Sequence, residues 1–401
     1  MKQIYIWGAG YGARQVIEEI DDTKTIILGI LDRDKRKQGA DIFPEIPIIS
    51  PYEIQGQTFD YIIISIKEYK AVEAECRRLG IPDEKTISYW KEESSPIFKS
   101  RAKRIETLTH EKNIFRNRLD SAPYEWGIER CPQIRSGAKL LKKIIEDNSS
   151  LCRFGDGEFE MIRGKGRQPW FQKPDAELSR RLMEVLLSES EGINIAIAQC
   201  FAELDRYKEV SADVTREYMF GDTRKFILGL LREDRVYYDA CVTRPYIMYK
   251  DKKNADEIFP LFKKVWEGRD VVIVEGEYSR MGIGNDLMTN TRSLLRIICP
   301  SQNAWDKYDT ILNTVLKKVT KDSLICISLG QCATVLAYDL AKVGYQALDI
   351  GHIDNEYEWY LRGVEERVEI PGKIIAELLT QQRLEIDGET EYQNQTIAKI
   401  L

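Results

Sequence analysis

A chain of 401 residues with 43% hydrophobic and 31% charged side chains exceeds one ordinary core and predicts two domains, each able to bury apolar surface while staying soluble. Acids outnumber bases by 65 to 59, a formal net charge of -6, which argues against a nucleic-acid-binding surface. No apolar run is long enough to span a bilayer, and MKQIYIWGAG reaches glycine too soon for a signal-peptide core, so a cytoplasmic location is expected, extending at most to the inner face of the membrane.

The first six residues after Met1, KQIYIW, form a β-rich run that stops at Gly8-Ala9-Gly10-Tyr11-Gly12-Ala13. RQVIEEI then carries helical apolar spacing, the order strand, glycine turn, helix. Further strands are expected at TIILGILD, ending on Asp32, and at FDYIIISI before the helix-like EYKAVEAECRRLG. Between them FPEIPIISPYEI holds three prolines, which exclude a central strand or a helix. Residues 1–92 thus read as a small open α/β domain. Residues 93–135 read as a charged helical linker whose basic cluster, Lys99, Arg101, Lys103 and Arg104, reads first as a solvated helix face and in the alternative as a contact for a phosphate or an anionic partner.

From residue 136 to 401 a larger α/β domain with a mainly parallel sheet is expected. The helix AKLLKKIIEDN leads to the strand LCRF, and further strands follow at INIAIAQ, RVYYDAC, DVVIVEG, SLICISLG and YQALDIG, mostly separated by amphipathic stretches. The tail offers a helix at GKIIAELL and a docking segment at YQNQTIAKI. Eight scattered cysteines form no CxxC pair and read as reduced thiols. With only two histidines, His110 and His352, a metal must lean on oxygen ligands.

In an open parallel sheet, ligands bind beyond the carboxyl ends of the strands, and four polar loops fall there. The first is Arg153-Phe154-Gly155-Asp156-Gly157-Glu158. If extended, Asp156 and Glu158 project to one face, a donor pair suited to Mg²⁺ or Mn²⁺ that is completed by substrate phosphates. The second runs from Glu277 through Arg280, Gly282, Gly284, Asn285 and Asp286 to an expected helix LMTNTRSLLRII. Its glycines, its arginine fork and that helix's positive end would cradle a diphosphate. The third, after SLICISLG, opens another helix at Gln331-Cys332-Ala333-Thr334. The fourth, Asp349 to Tyr360, gathers His352, Asp354, Glu356, Glu358 and three aromatics, read as acid/base candidates and a stacking platform.

From about residue 136 onward, the strings RFGDGE, FQKPD, TRPY with YKDK, VEGEYSRMGIGNDL, NAW, LGQCATVLAYDLA and ALDIGHIDNEYEWYL resemble the GT-D-type glycosyltransferases of bacterial adhesin and surface-polysaccharide glycosylation. The one departure is Gln331-Cys332, where that family has Pro-Thr. The resemblance implies a hexosyltransferase using a nucleotide-sugar, a UDP-sugar first, with Mn²⁺ or Mg²⁺ on Asp156 and Glu158, and with Arg280 and Glu356 as further catalytic groups. It implies substrate contacts at Arg153, Gly155, Gln172, Arg244, Gly282, Gly284, Asn285, Asp286, Thr334, His352 and Asp354. The acceptor would be a glycan on a protein or lipid carrier, and the enzyme a homo-oligomer or a monomer.

The first domain resembles the small Rossmann-like domain that precedes sugar-modifying acetyltransferases. Gly8, Gly10 and Ala13 satisfy G-x-G-x-x-A, and Asp32 stands where a ribose-binding carboxylate would, so a nucleotide or nucleotide-sugar there and a docking role both remain open. Two alternatives stand beside the transferase reading. One is a nicotinamide-dependent oxidoreductase or epimerase working through these four residues, against which no Tyr-x-x-x-Lys pair occurs in residues 1–92. The other is a non-catalytic nucleotide-sugar-binding regulator.

Overall fold

The computed structural model describes residues 1–20, 22–40, 42–91, 102–164, 172–373, 375 and 389–401. The chain divides into two compact units, Met1–Arg116 and Asn117–Leu401. In the first, β1 (Lys2–Trp7), β2 (Thr25–Leu31), β3 (Ile48–Ile49), β4 (Tyr61–Ile64) and β5 (Thr86–Ser88) form one parallel sheet in the order β3-β2-β1-β4-β5. Alternation along β1 sends Ile4 and Ile6 to one face, against Ala13 and Val16 of α1 (Tyr11–Glu19). Tyr5 and Trp7 face the other side, against Val72 and Cys76 of α2 (Tyr69–Arg78). Within the proline-rich connection form β3, a two-residue edge strand, and a single 3-10 turn at Pro51–Ile54, whose first position tolerates proline.

Helix α3 (Ala102–Glu125) crosses the division between the units. The basic cluster expected on the linker lies outside the described side chains, and most of the expected tail helix at 372–379 lies outside the described residues.

The second unit is built on nine strands: β6 (Gln133–Arg135), β7 (Ser150–Phe154), β8 (Ile193–Ile197), β9 (Val236–Asp239), β10 (Asp270–Gly276), β11 (Ser293–Cys299), β12 (Leu324–Ser328), β13 (Gln346–Asp349) and β14 (Thr396–Lys399). Their order is β14-β11-β10-β12-β13-β7-β8-β9-β6, and every pairing is parallel. Central strands are apolar on both faces, as a doubly covered sheet requires. Val272 and Val274 of β10 pack with α6 (Ala176–Leu187), α10 (Tyr308–Lys318) and α11 (Gln331–Lys342). Val271 and Ile273 pack with α4 (Gly137–Asp147), α9 (Lys253–Trp266) and α12 (Ile353–Leu361). Helices α5 (Asp156–Ile162), α7 (Glu209–Met219), α8 (Asp222–Leu230) and α13 (Glu389–Gln395) complete the unit.

The expected helix at 287–298 is instead a run of turns followed by strand β11. Its apolar residues fit either period, and the neighbouring strand decides. On β11, Arg296 is fully buried and donates to Glu275 of β10 at 2.6 Å, to the Met281 carbonyl at 2.7 Å and to Gln395 at 2.7 Å. A buried arginine of this kind holds only where its fork is fully satisfied.

Candidate active site

From β7 the chain steps to β8 and β9 on one side, while β12 and β13 lie on the other. The junction of β13 and β7 is therefore a topological switch point, where a crevice opens at the carboxyl ends of the strands. Three helices begin around it: α5 after β7, α11 after β12 and α12 after β13.

Gly155 is extended and α5 starts at Asp156, so the carboxylates do not alternate along a strand. Both lie in the first helical turn, where the helix's positive end favours them. Glu158 folds back to accept the Gly155 N–H at 2.7 Å, and Asp156 accepts the Gly157 N–H at 2.9 Å. Burial pushes the Glu158 carboxyl up to about 7, assisted by the negative charge of Asp349 and opposed by the Gly155 N–H and Arg153. Two hard carboxylates, both half-buried, fit Mg²⁺ or Mn²⁺ whose remaining ligands are waters and phosphate oxygens. They do not form a closed cage: no group of three or more His, Cys, Asp or Glu suited to a metal occurs among the described residues.

The floor of the crevice is a clamp around Arg153. Its guanidinium donates to the Asp349 carboxylate at 2.7 Å, the Asp349 carbonyl at 2.9 Å, Thr243 Oγ1 at 2.8 Å and the Ala240 carbonyl at 3.3 Å. Thr334 Oγ1 donates to the Arg153 carbonyl at 2.9 Å and to Asp349 at 3.3 Å. Arg153 and Thr334, expected to touch substrate, thus bind β7, the turn after β9, β13 and α11 to one another. Gly351 has φ +45°, and a Cβ there would lie 2.1 Å from Arg153 Nη2, so the turn into α12 admits only glycine beside this arginine. His352 is half-buried at the cap of α12, its Nδ1 3.5 Å from Asn355 Nδ2.

Several other expected site residues have structural work. Arg280 was expected to face a diphosphate at a helix N-terminus, but no helix starts near Asp286. Arg280 is buried at φ +48°, with its guanidinium 4.7 Å from the Tyr392 ring centre. Asp354 accepts the Gly282 N–H at 2.8 Å and Asn285 at 2.9 Å, and pairs with the buried Lys373. These bonds pin the 280–286 loop to α12. Asp286 accepts Tyr357 Oη at 2.7 Å and Lys263 at 2.6 Å, and Gly284 is exposed beside it.

Glu356, expected as a base, is buried, and one oxygen accepts the backbone N–H groups of Tyr246 and Ile247, both at 2.9 Å. That oxygen holds the loop after Arg244. Gln172 Oε1 accepts the Trp305 N–H at 3.0 Å, tying the FQKPD string to NAW. The aromatics Tyr357 and Trp359, read as a stacking platform, are core residues. The sequence reading passed over Thr243 and took Asp349 only as the start of the fourth loop, with no role of its own. Asp349 had a signal, since it is the last residue of its strand before a glycine turn.

In the first unit, Gly8 and Gly10 flank the turn into α1 and Ala13 is buried against the sheet. Asp32 accepts the Ala9 N–H at 2.8 Å and the Asp34 N–H at 2.9 Å, with Lys37 at 3.4 Å, and so closes the turn. In the second unit, two surface hollows of about 430 and 600 Å³ open at the opposite, amino-terminal ends of the strands, around Asn194 and Arg235 and around Ser150 and Arg269. They are remote from the switch point, and no catalytic candidate lines them.

Residues 151–378 match the family model described as glycosyltransferase GT-D fold, and residues 1–87 match one described as C2185-like, N-terminal. The chain is 37% identical over 273 residues to a probable glycosyl transferase Gly of Streptococcus gordonii, and 37% identical over 270 residues to glycosyltransferase GlyD of Streptococcus pneumoniae serotype 4. These alignments cover 68% and 67% of this chain but only 39% and 33% of those proteins. A solved structure described as showing that the highly conserved domain of unknown function 1792 has a distinct glycosyltransferase fold superposes with a TM-score of 0.64 at 33% identity, covering 71% of this chain and 98% of that one. A structure described as a new glycosyltransferase from Streptococcus sanguinis superposes at 0.62 with 35% identity, covering 68% and 100%.

Proposed function

Since this chain belongs to the glycosyltransferase GT-D fold family, we propose that it transfers a hexose from a UDP-sugar to a glycan acceptor on a protein or lipid carrier, in the cytoplasm and with a divalent metal. The observation that carries this reading is the Asp156-Gly157-Glu158 turn at the switch point, opening α5 beside the N-terminal ends of α11 and α12.

Asp156 and Glu158 would hold Mn²⁺ or Mg²⁺, which when bound supplies positive charge to the departing diphosphate. The N-terminal ends of α5 and α11 point backbone N–H groups at the same crevice and favour the same anion. Arg153 and Asp349 keep the three loops in register, so these groups are in position before the sugar bond breaks. The carboxylates need a charged partner: Glu158 is held near 7 by burial, and a cation in the crevice would restore its ionised form.

The test is UDP release by the purified chain over a panel of UDP- and GDP-sugars, with Mn²⁺ and with excess EDTA. Asp156→Asn and Glu158→Gln should each lower turnover by roughly a hundredfold or more, the effect of removing a main electrostatic stabiliser. Unchanged turnover in EDTA removes the metal. Absence of both UDP release and thermal stabilisation by every nucleotide-sugar rejects the transferase reading.

A further inference from the structure

Gln331 is the first residue of α11, at an end where the cap Gly330 supplies no side-chain hydrogen bond and the first turn carries no acid. Its carboxamide lies against the middle residue of the Asp156-Gly157-Glu158 turn, because a Cβ on Gly157 would come within 2.5 Å of Gln331 Nε2. The glycine in that turn therefore has a steric partner, and the two positions fit each other across the crevice. Gln331 is half-buried, and its Oε1 is buried with no hydrogen-bond partner among the described residues. Buried side-chain oxygens are paired in the great majority of cases, so this one calls for a donor that the described residues do not supply.

We propose that Gln331 is a donor-recognition residue whose carboxamide oxygen accepts a hydroxyl of the nucleotide-sugar, on the ribose or on the sugar being transferred. The inference rests on the nucleotide-sugar reading above and deepens it by naming a specificity group beside the metal-binding turn. Gly157 sets where the carboxamide stands. A carbonyl oxygen built to receive an O–H discriminates strongly against a ligand that lacks it, because the oxygen is then left buried and unpaired. Gln331 takes no part in bond breaking, and its effect belongs to binding.

The experiment is titration calorimetry with Mn²⁺, comparing wild type with Gln331→Met, which keeps the side-chain volume and removes both polar atoms. The probes are UDP, 2'-deoxy-UDP and UDP-glucose. Loss of one neutral hydrogen bond predicts binding weaker by about fivefold to tenfold. A loss for UDP-glucose alone assigns the contact to the transferred sugar. Equal losses for UDP and UDP-glucose, with wild type and not the variant discriminating against 2'-deoxy-UDP, assign it to the ribose. Unchanged affinity for both UDP and UDP-glucose in a variant that melts like wild type overturns the proposal. Gln331→Ala, which adds no bulk, gives the same comparison should the methionine variant fail to fold. Wild-type protein that binds none of the three probes overturns the donor reading itself, an outcome distinct from a silent Gln331.

Discussion

Replacing Glu356 by glutamine separates a base from a scaffold. In the structure one oxygen of Glu356 accepts two backbone N–H groups, from Tyr246 and Ile247, each at 2.9 Å. Glutamine can present its carbonyl oxygen to the same pair, so the geometry survives while the charge is lost. Hydrogen bonds to a charged acceptor contribute about 1.5–3 kcal/mol each and neutral ones about 0.5–1.5, so two weakened bonds cost about 2 kcal/mol. Burial disfavours the ionised carboxylate and raises its pKa, which offsets part of that loss and brings the net cost nearer 1 kcal/mol. Glu356→Gln should therefore lower the urea midpoint modestly and leave kcat within a few-fold of wild type. Glu356→Ala strands both N–H groups and should cost about 2–6 kcal/mol, given a penalty of about 1–3 kcal/mol for each unsatisfied group. The assays are equilibrium urea unfolding and steady-state UDP release at saturating donor and metal. A general base contributes about a hundredfold or more, so a hundredfold fall in kcat for Glu356→Gln at unchanged stability would refute the scaffold assignment.

Gly351→Ala combines a positive φ with a Cβ 2.1 Å from Arg153 Nη2. The backbone cost is about 1–2 kcal/mol and displacement of the half-buried, four-fold bonded Arg153 adds to it, so a loss of about 3 kcal/mol by urea unfolding and of donor-induced thermal stabilisation is expected. Tyr392→Leu removes the ring that Arg280 and Arg296 both face, at 4.7 and 5.1 Å, and should cost about 1–3 kcal/mol in the same assay. Acid should release the second half of α3. There burial opposes ionisation of Asp213 and Glu125, but hydrogen bonds from Arg118 and Arg216 outweigh it and hold both carboxyls below their ordinary values. A depressed carboxyl contributes stability above its unfolded pKa, near 4, and loses it as pH falls through the lower folded value. Hydrogen exchange at residues 117–125 should accordingly rise sharply between about pH 4 and 2, and protection that is flat over that range would exclude the mechanism.

Much of the frame could be read from local pattern. KQIYIW, DVVIVEG, SLICISLG and YQALDIG declare strands because a parallel sheet covered on both faces needs unbroken apolar runs. The glycine-interrupted polar strings after them mark carboxyl ends, where the crevice lies. The Asp156-Gly157-Glu158 turn was legible as a place, and the resemblance of the strings around it pointed to the family that the comparisons bear out.

Whether a charged side chain faces ligand or protein depends on partners far along the chain, and there the sequence fell silent. Glu356 meets its backbone partners 109 and 110 residues away, and Asn285 meets Asp354 across 69. SLLRIIC suits a helix or a strand in isolation. Only its place beside β10, with Glu275 waiting for Arg296, makes it a strand. Even the two carboxylates of the site changed their relation once Gly155 began a helix and Glu158 turned back to cap it. Composition and periodicity act over a few residues and determine which segments become strands, helices and turns. The duty of each polar side chain is set by desolvation and hydrogen bonding among segments that the fold alone brings together.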